Sequence, residues 1–153
     1  MGAPESGRPT SKQAADCIFC QIVTGNAPSA RIGETEHALA FLDIFPLSPG
    51  HTLVVPKRHV VDLVQADGAL AEMADLVEST AKMLDVRLEP AGLNLVQATR
   101  AAAGQDVFHL HVHLIPIYRG DGGLLGVLGR ERGTEMVSAD ELGEVRSHLL
   151  GLD

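Results

Sequence analysis

From Phe108 to Pro116 the chain alternates strictly: His109, His111 and His113 are separated by Leu110 and Val112 and followed by Leu114 and Ile115. Alternate residues of a strand share a face. The pattern therefore predicts a strand that sends Leu110, Val112 and Leu114 into a core and lines its other surface with three imidazoles. Nearer the start, Ile18, Phe19, Ile22 and Val23 recur at helical spacing and stop at Gly25-Asn26, which marks a short helix. That helix sets Cys17 and Cys20 one turn apart, able to face one ligand together. Residues 30–34 and 37–43 read as two strands around Glu34-Thr35-Glu36, with Phe41 and Asp43 on one face. Pro46-Leu47-Ser48-Pro49-Gly50 is a turn cluster; residues 51–56 after it form a third strand, ended by Pro56.

Leu70, Met73, Leu76, Val77, Thr80, Leu84 and Leu88 trace one stripe of a longer helix. Gly92 to Ala98 is a fourth strand, and Thr99 to Asp106 is the loop leading to the histidine strand, the fifth. The glycine-rich stretch 120–133 has no Lys-Ser/Thr of a phosphate loop and reads as a flexible loop. Ser138-Ala-Asp-Glu141 is a capping box that opens a terminal helix running to about Leu149. Strands that follow one another without intervening helices favour an antiparallel α+β sheet of about five strands with flanking helices. Residues 1–15, rich in Gly, Pro, Ser and charge, are expected to be a mobile tail, and residues 16–153 one domain.

Twenty acidic against 12 basic residues give a net charge of -8, which argues against general adhesion to nucleic acid or to an anionic membrane. No run approaches the roughly 18 apolar residues of a spanning helix, and the first residues hold no apolar secretory core; a cytoplasmic protein is expected. In a reducing compartment Cys17-Ile-Phe-Cys20 reads as a metal knuckle or a redox pair rather than a disulfide, with two small core residues as the plainer alternative. Three imidazoles on one face are costly to bury unless each finds a partner. They point to a site that handles protons, metal or phosphate, a His-rich solvated face being the bland alternative.

The pattern His-φ-His-φ-His-φ-φ from His109 to Ile115 resembles the signature of the histidine triad nucleotide-binding proteins. The resemblance extends over residues 16–116 and is reinforced by Cys17-Ile-Phe-Cys20, Ala40-Phe-Leu-Asp43-Ile44, Pro49-Gly-His51 through His59, and Ala103-Gly104-Gln105. It implies the family's fold, an antiparallel sheet with flanking helices, and a homodimer. It also implies hydrolysis of nucleoside phosphoramidates, dinucleoside polyphosphates or adenylated substrates through a covalent nucleotidyl-histidine. By that resemblance His111 is the nucleophile, His113 donates to the phosphate or leaving group, and His51 is the additional site histidine. Asp43 accepts the ribose hydroxyls, and Ile18, Phe19, Ile22, Phe41, Ile44 and Leu53 form the apolar slot for a purine base of an AMP- or GMP-like ligand. Taken without the family, those apolar residues would be ordinary core.

The amide-rich turn Gly104-Gln105-Asp106-Val107 is the expected phosphate clamp, its plain alternative being a tight turn. Two positions depart from the family's pattern: Ala98 stands where a loop Asn or Gln is usual. Asp106 stands where Ser or Thr commonly contacts phosphate, an exchange shared with some bacterial members. Residues 117–153 match poorly. Cys17, Cys20, His59 and His109 resemble the ligand set of a zinc-bearing branch, and two thiolates with two imidazoles suit a closed structural site. Two other readings compete: a non-catalytic nucleotide-binding module, and a metal-dependent hydrolase in which all three triad histidines ligate the ion.

Overall fold

The computed structural model describes residues 15–129 and 136–153; the expected tail, residues 1–15, lies outside the described residues but for Ala15. Five antiparallel strands form one sheet in the order β1-β2-β3-β5-β4, with β1 Arg31–Glu34, β2 Ala38–Leu42, β3 Thr52–Pro56, β4 Gly92–Val96 and β5 Val112–Ile117. Helices α1 Ile18–Thr24, α2 Ala69–Leu88, α3 Gly123–Leu128 and α4 Ala139–Leu150 flank it. The α+β architecture expected from the strand order is the one observed.

Alternation along the strands divides the molecule in two. Ala38, Ala40 and Leu42 of β2 join Val54, Val112 and Leu114 against Met73, Leu76 and Leu84 of α2, in the larger cluster. Leu39 and Phe41 take the opposite face with Leu53 and Val55, under Phe19 and Ile22 of α1. Burial on both faces makes β2 apolar throughout and β3 apolar but for Thr52, and leaves the α1 side of the sheet as the place where the histidines emerge. On α2 the buried stripe is Ala69, Met73, Leu76, Thr80 and Leu84, while Leu70 lies on the exposed flank. Cys17 caps α1, its Sγ accepting from the Cys20 amide, and Gly25 closes it in the left-handed conformation. Ser138 and Glu141 form the reciprocal capping box at the start of α4.

Two elements differ from expectation. The fifth strand begins at Val112, not before His109: the Leu110 amide donates to the Val60 carbonyl, beyond the end of β3, so residues 109–111 run beside the segment that follows Pro56 instead of pairing with the sheet. Within the glycine-rich stretch, Gly123–Leu128 is helical because Val127 docks in a pocket with Leu47 and Ile115.

Gly50, directly ahead of His51, has φ +88, and a Cβ there would stand 2.3 Å from Leu88 Cδ1 and 3.3 Å from Pro116. Gly50→Ala is therefore expected to lower stability by about 1–3 kcal/mol, read as a lower midpoint in urea with an unchanged slope.

Candidate active site

A cavity of about 610 Å³ lies against the α1 face of the sheet, within the size range of small-molecule sites. Ile18, Phe19, Ile22, Phe41, Ile44 and Leu53 all line it, together with Asp43, Asp106, Val107, His111 and His113. Sequence reasoning missed Ala27, Pro28, Ser29, Leu42 and Phe45, which also line it. Residues 27–29 reach it because Gly25 turns the chain back after α1, a geometry that no periodic signal announces.

Backbone carbonyls only accept hydrogen bonds, so they assign the ring tautomers. His111 Nδ1 lies 2.8 Å from the His109 carbonyl and must donate to it, which places the lone pair on Nε2. That atom is 3.7 Å from Asp106 Oδ1, on the cavity side. His109 Nε2 donates likewise to the Pro56 carbonyl at 2.8 Å, leaving Nδ1 as the lone-pair atom. His51 Nδ1 accepts from the Leu47 amide at 3.0 Å. A neutral His51 therefore carries its proton on Nε2, which stands 2.9 Å from His113 Nδ1 and 3.6 Å from Asp43 Oδ2. Donation from His51 makes His113 Nδ1 an acceptor and puts the His113 proton on Nε2. His51 is almost fully buried and stands behind His113, outside the cavity lining.

The loop ahead of the histidines departs from its expected part. Gly104 is exposed and Gln105 buried, and neither lines the cavity. Gln105 instead ties three backbone segments, accepting from the Arg100 amide at 2.7 Å and donating to the Val61 and Val107 carbonyls at 2.7 and 3.1 Å. It thereby sets the height of Asp106 and Val107, which do line the cavity. Gln97 and Thr99, neighbours of Ala98, spend their side chains on each other and on the Ala98 carbonyl.

Behind the cavity, Cys17, Cys20, His59 and His109 bring their donor atoms within 4.8 Å of one another. The His109 Nδ1 lone pair faces Cys17 Sγ at 3.4 Å and Cys20 Sγ at 3.5 Å, and His59 Nδ1 is 3.3 Å from Cys20 Sγ. Two sulfurs and two ring nitrogens turned inward, with no carboxylate among them, fit a tetrahedral metal such as zinc. Without a cation, burial, aided by the neighbouring Cys17 thiol, pushes the Cys20 thiol up to about 12. Burial also lowers the His59 imidazole and takes that of His109 down to about 4. A divalent cation at this spot would take the place of the thiol protons.

A HIT domain model matches residues 24–120. A HIT-like protein of Mycoplasma pneumoniae is 51% identical over 104 residues, covering 67% of this chain and 72% of its own. An adenosine 5'-monophosphoramidase of Schizosaccharomyces pombe is 41% identical over 101 residues, 65% of this chain and 73% of its own. Among solved structures, a zinc-bound histidine triad family protein from Mycobacterium smegmatis is similar with a TM-score of 0.73 at 37% identity, covering 92% of this chain and 97% of that one.

In metal-free protein the folded His109 binds a proton only near pH 4, against 6.5 for its ordinary value. Between those values the unfolded chain holds more protons, so stability rises with pH across the window and falls on acidification. From pH 7 to 4 the metal-free protein is expected to lose about 3 kcal/mol more than a His109→Gln variant, measured by urea denaturation at each pH. Parallel profiles would contradict a neutral, buried His109.

Proposed function

The chain belongs to the HIT domain family, and from that premise we propose that it is a nucleotide hydrolase working through a covalent nucleotidyl-His111 intermediate. Its substrates on this reading are nucleoside phosphoramidates, dinucleoside polyphosphates or adenylated compounds. The observation that carries the reading is the 2.8 Å hydrogen bond from His111 Nδ1 to the His109 carbonyl. It gives the buried imidazole one lone pair, on the nitrogen that faces Asp106 across the cavity, and it steadies the positive charge that develops on attack. Identity to the fission-yeast monophosphoramidase supports the same chemistry.

In the proposed reaction His111 Nε2 attacks phosphorus. The N–P bond forms as the bond to the leaving group breaks, and the departing atom, hydrogen-bonded by the His113 Nε2–H, takes its proton from solvent water. Water then attacks phosphorus, the N–P bond breaks with its electron pair returning to His111 Nε2, and the proton lost by water passes to solvent. His51 is a positioning residue that holds His113 in its donating tautomer. Asp43, whose Oδ1 already accepts from the Phe45 amide at 2.8 Å, accepts ribose hydroxyls. The apolar slot of Ile18, Phe19, Ile22, Phe41, Ile44 and Leu53 holds the base, a purine on this reading. Loop contacts with the phosphoryl group fall to Asp106 and Val107.

A reading in which all three triad histidines ligate one catalytic ion is disfavoured by where the rings meet. His109 groups with the cysteines, and His113 with His51 and Asp43; His111 is in neither cluster among the described residues. We assign a structural zinc to Cys17, Cys20, His59 and His109, where it would supply the charge that keeps the thiolates deprotonated and would tie α1 to the triad segment. A homodimer belongs to the same proposal, supported by the edge position of β4 and by Leu95, which is 58% exposed there. So does a cytoplasmic setting, in which both cysteines stay reduced. No helix among the described residues is long and apolar enough to cross a membrane.

His111→Asn is expected to lower turnover of a nucleoside phosphoramidate by at least about a thousandfold while nucleotide affinity stays within about threefold of the parent. Turnover that survives the change would refute the nucleophile, and a parent that binds nucleotide without turnover would favour the non-catalytic module. Cys17→Ser is expected to reduce zinc content and melting temperature more than nucleotide affinity, measured by elemental analysis and calorimetry. Equal zinc in variant and parent would overturn the ligand set.

A further inference from the structure

The cavity carries an unusual charge balance for a phosphate site. Its lining includes two carboxylates, Asp43 and Asp106, and among the described residues that line it no lysine or arginine. Asp106 Oδ1 is 3.7 Å from the lone-pair nitrogen of His111. The Val107 amide, donating to the same oxygen at 3.0 Å, holds that carboxylate in place. Any phosphorus atom attacked by His111 therefore has a carboxylate beside it.

The position is not neutral between substrate classes. A dinucleoside polyphosphate brings several negative charges and meets no compensating cation, whereas a nucleoside phosphoramidate brings one. The base occupies the apolar slot, so the leaving group projects from the other end of the ligand, where the Asp106 side chain is 61% exposed. A carboxylate at that end attracts a positively charged substituent and repels an anionic one.

We propose that Asp106 is a specificity-determining residue that selects nucleoside phosphoramidates whose amine leaving group bears a further positive charge, and turns away polyphosphates. The proposal rests on the hydrolase reading above. In the step it governs, the P–N bond of the phosphoramidate breaks as the His111 N–P bond forms. The nitrogen, hydrogen-bonded by His113, takes its proton from solvent water and leaves as an amine, its remote ammonium held near Asp106; water then releases the nucleoside monophosphate.

The test compares adenosine 5'-phosphoramidates of an alkyldiamine and of the same diamine acetylated at its far nitrogen, with a diadenosine polyphosphate as third substrate. Parent protein is expected to show kcat/KM about fivefold higher for the charged compound than for its acetylated twin. In Asp106→Asn and Asp106→Ser that ratio should fall to near one, and the polyphosphate should gain about fivefold relative to the acetylated compound. Non-reactive phosphonate analogues of the same amine pair, titrated calorimetrically, read the charge preference without turnover. A preference that Asp106→Asn leaves within about twofold of the parent, in rate or in binding, would overturn the proposal. Asp106-dependent binding of the charged analogue with no turnover of any compound would retain the Asp106 assignment and remove the hydrolase reading instead.

Discussion

A carbonyl oxygen can accept a hydrogen bond and never donate one, and the site is organised by that asymmetry. The carbonyls of His109 and Pro56 each fix one imidazole, and a backbone amide, that of Leu47, fixes a third from the opposite sense. Each ring is left with its lone pair or its proton on a known side. His111 thereby offers a lone pair toward the cavity, His109 offers one toward the cysteines, and His113 carries its proton on Nε2. The assignments of His51, His109 and His111 use only backbone groups, which secondary structure and tight turns hold more rigidly than side chains could; His113 takes its own from the His51 ring. On the proposed reading, a lone-pair nitrogen of His111 and a hydrogen-bond donor of His113 face the same ligand, with the Asp106 carboxylate beside the first.

The backbone can play this part because the sheet keeps its two faces apart. Leu110, Val112 and Leu114 pack under α2, and a shift of one residue would exchange them with the histidines and drive three polar rings into an apolar core. The same alternation places Phe41 and Leu53 on the histidine side, where they serve both the smaller cluster and the cavity. Phe19 completes the arrangement from α1, with its ring edge-on to His111 at 5.2 Å between centroids and to His109 at 5.9 Å. One aromatic side chain thus separates the cavity from the cysteine cluster.

Much of this was legible in the residue pattern for a physical reason. Strict alternation at residues 109–114, the stripe on α2 and the capping box at Ser138 are local consequences of side-chain periodicity. The five strands, their antiparallel pairing and the one-turn spacing of Cys17 and Cys20 follow from them. What the pattern could not reveal depends on long-range hydrogen bonds. The fifth strand loses its first residues because the Leu110 amide finds Val60, a partner far away in sequence. Gln105 is one of four residues in a turn whose backbone N–H groups are expected to face phosphate, and the pattern foresees no part for its side chain. Its bonds to Arg100, Val61 and Val107 make it a staple, which only tertiary contact reveals. The helix at 123–128 was hidden by glycines whose low helix propensity is overridden where Val127 is fully buried.

His109 has one attachment in place and would gain a second, on a different scale, from a bound cation. Its ring is oriented by one hydrogen bond to Pro56, worth about 1 kcal/mol net, whereas a cation held by two thiolates and two imidazoles contributes about 10 kcal/mol or more. Metal binding would govern whether the N-terminal helix stays docked; the hydrogen bond to Pro56 already sets which nitrogen of His109 bears the lone pair. Because the His109 carbonyl, not its ring, holds His111, the tautomer of His111 depends on the course of the backbone at 109. That course is fixed in turn by the Leu110 amide on Val60 and by the burial of Leu110 itself. Loss of such a cation would therefore act first on the docking of α1 and on Phe19, and would reach His111 through the wall of the cavity before it altered the tautomer.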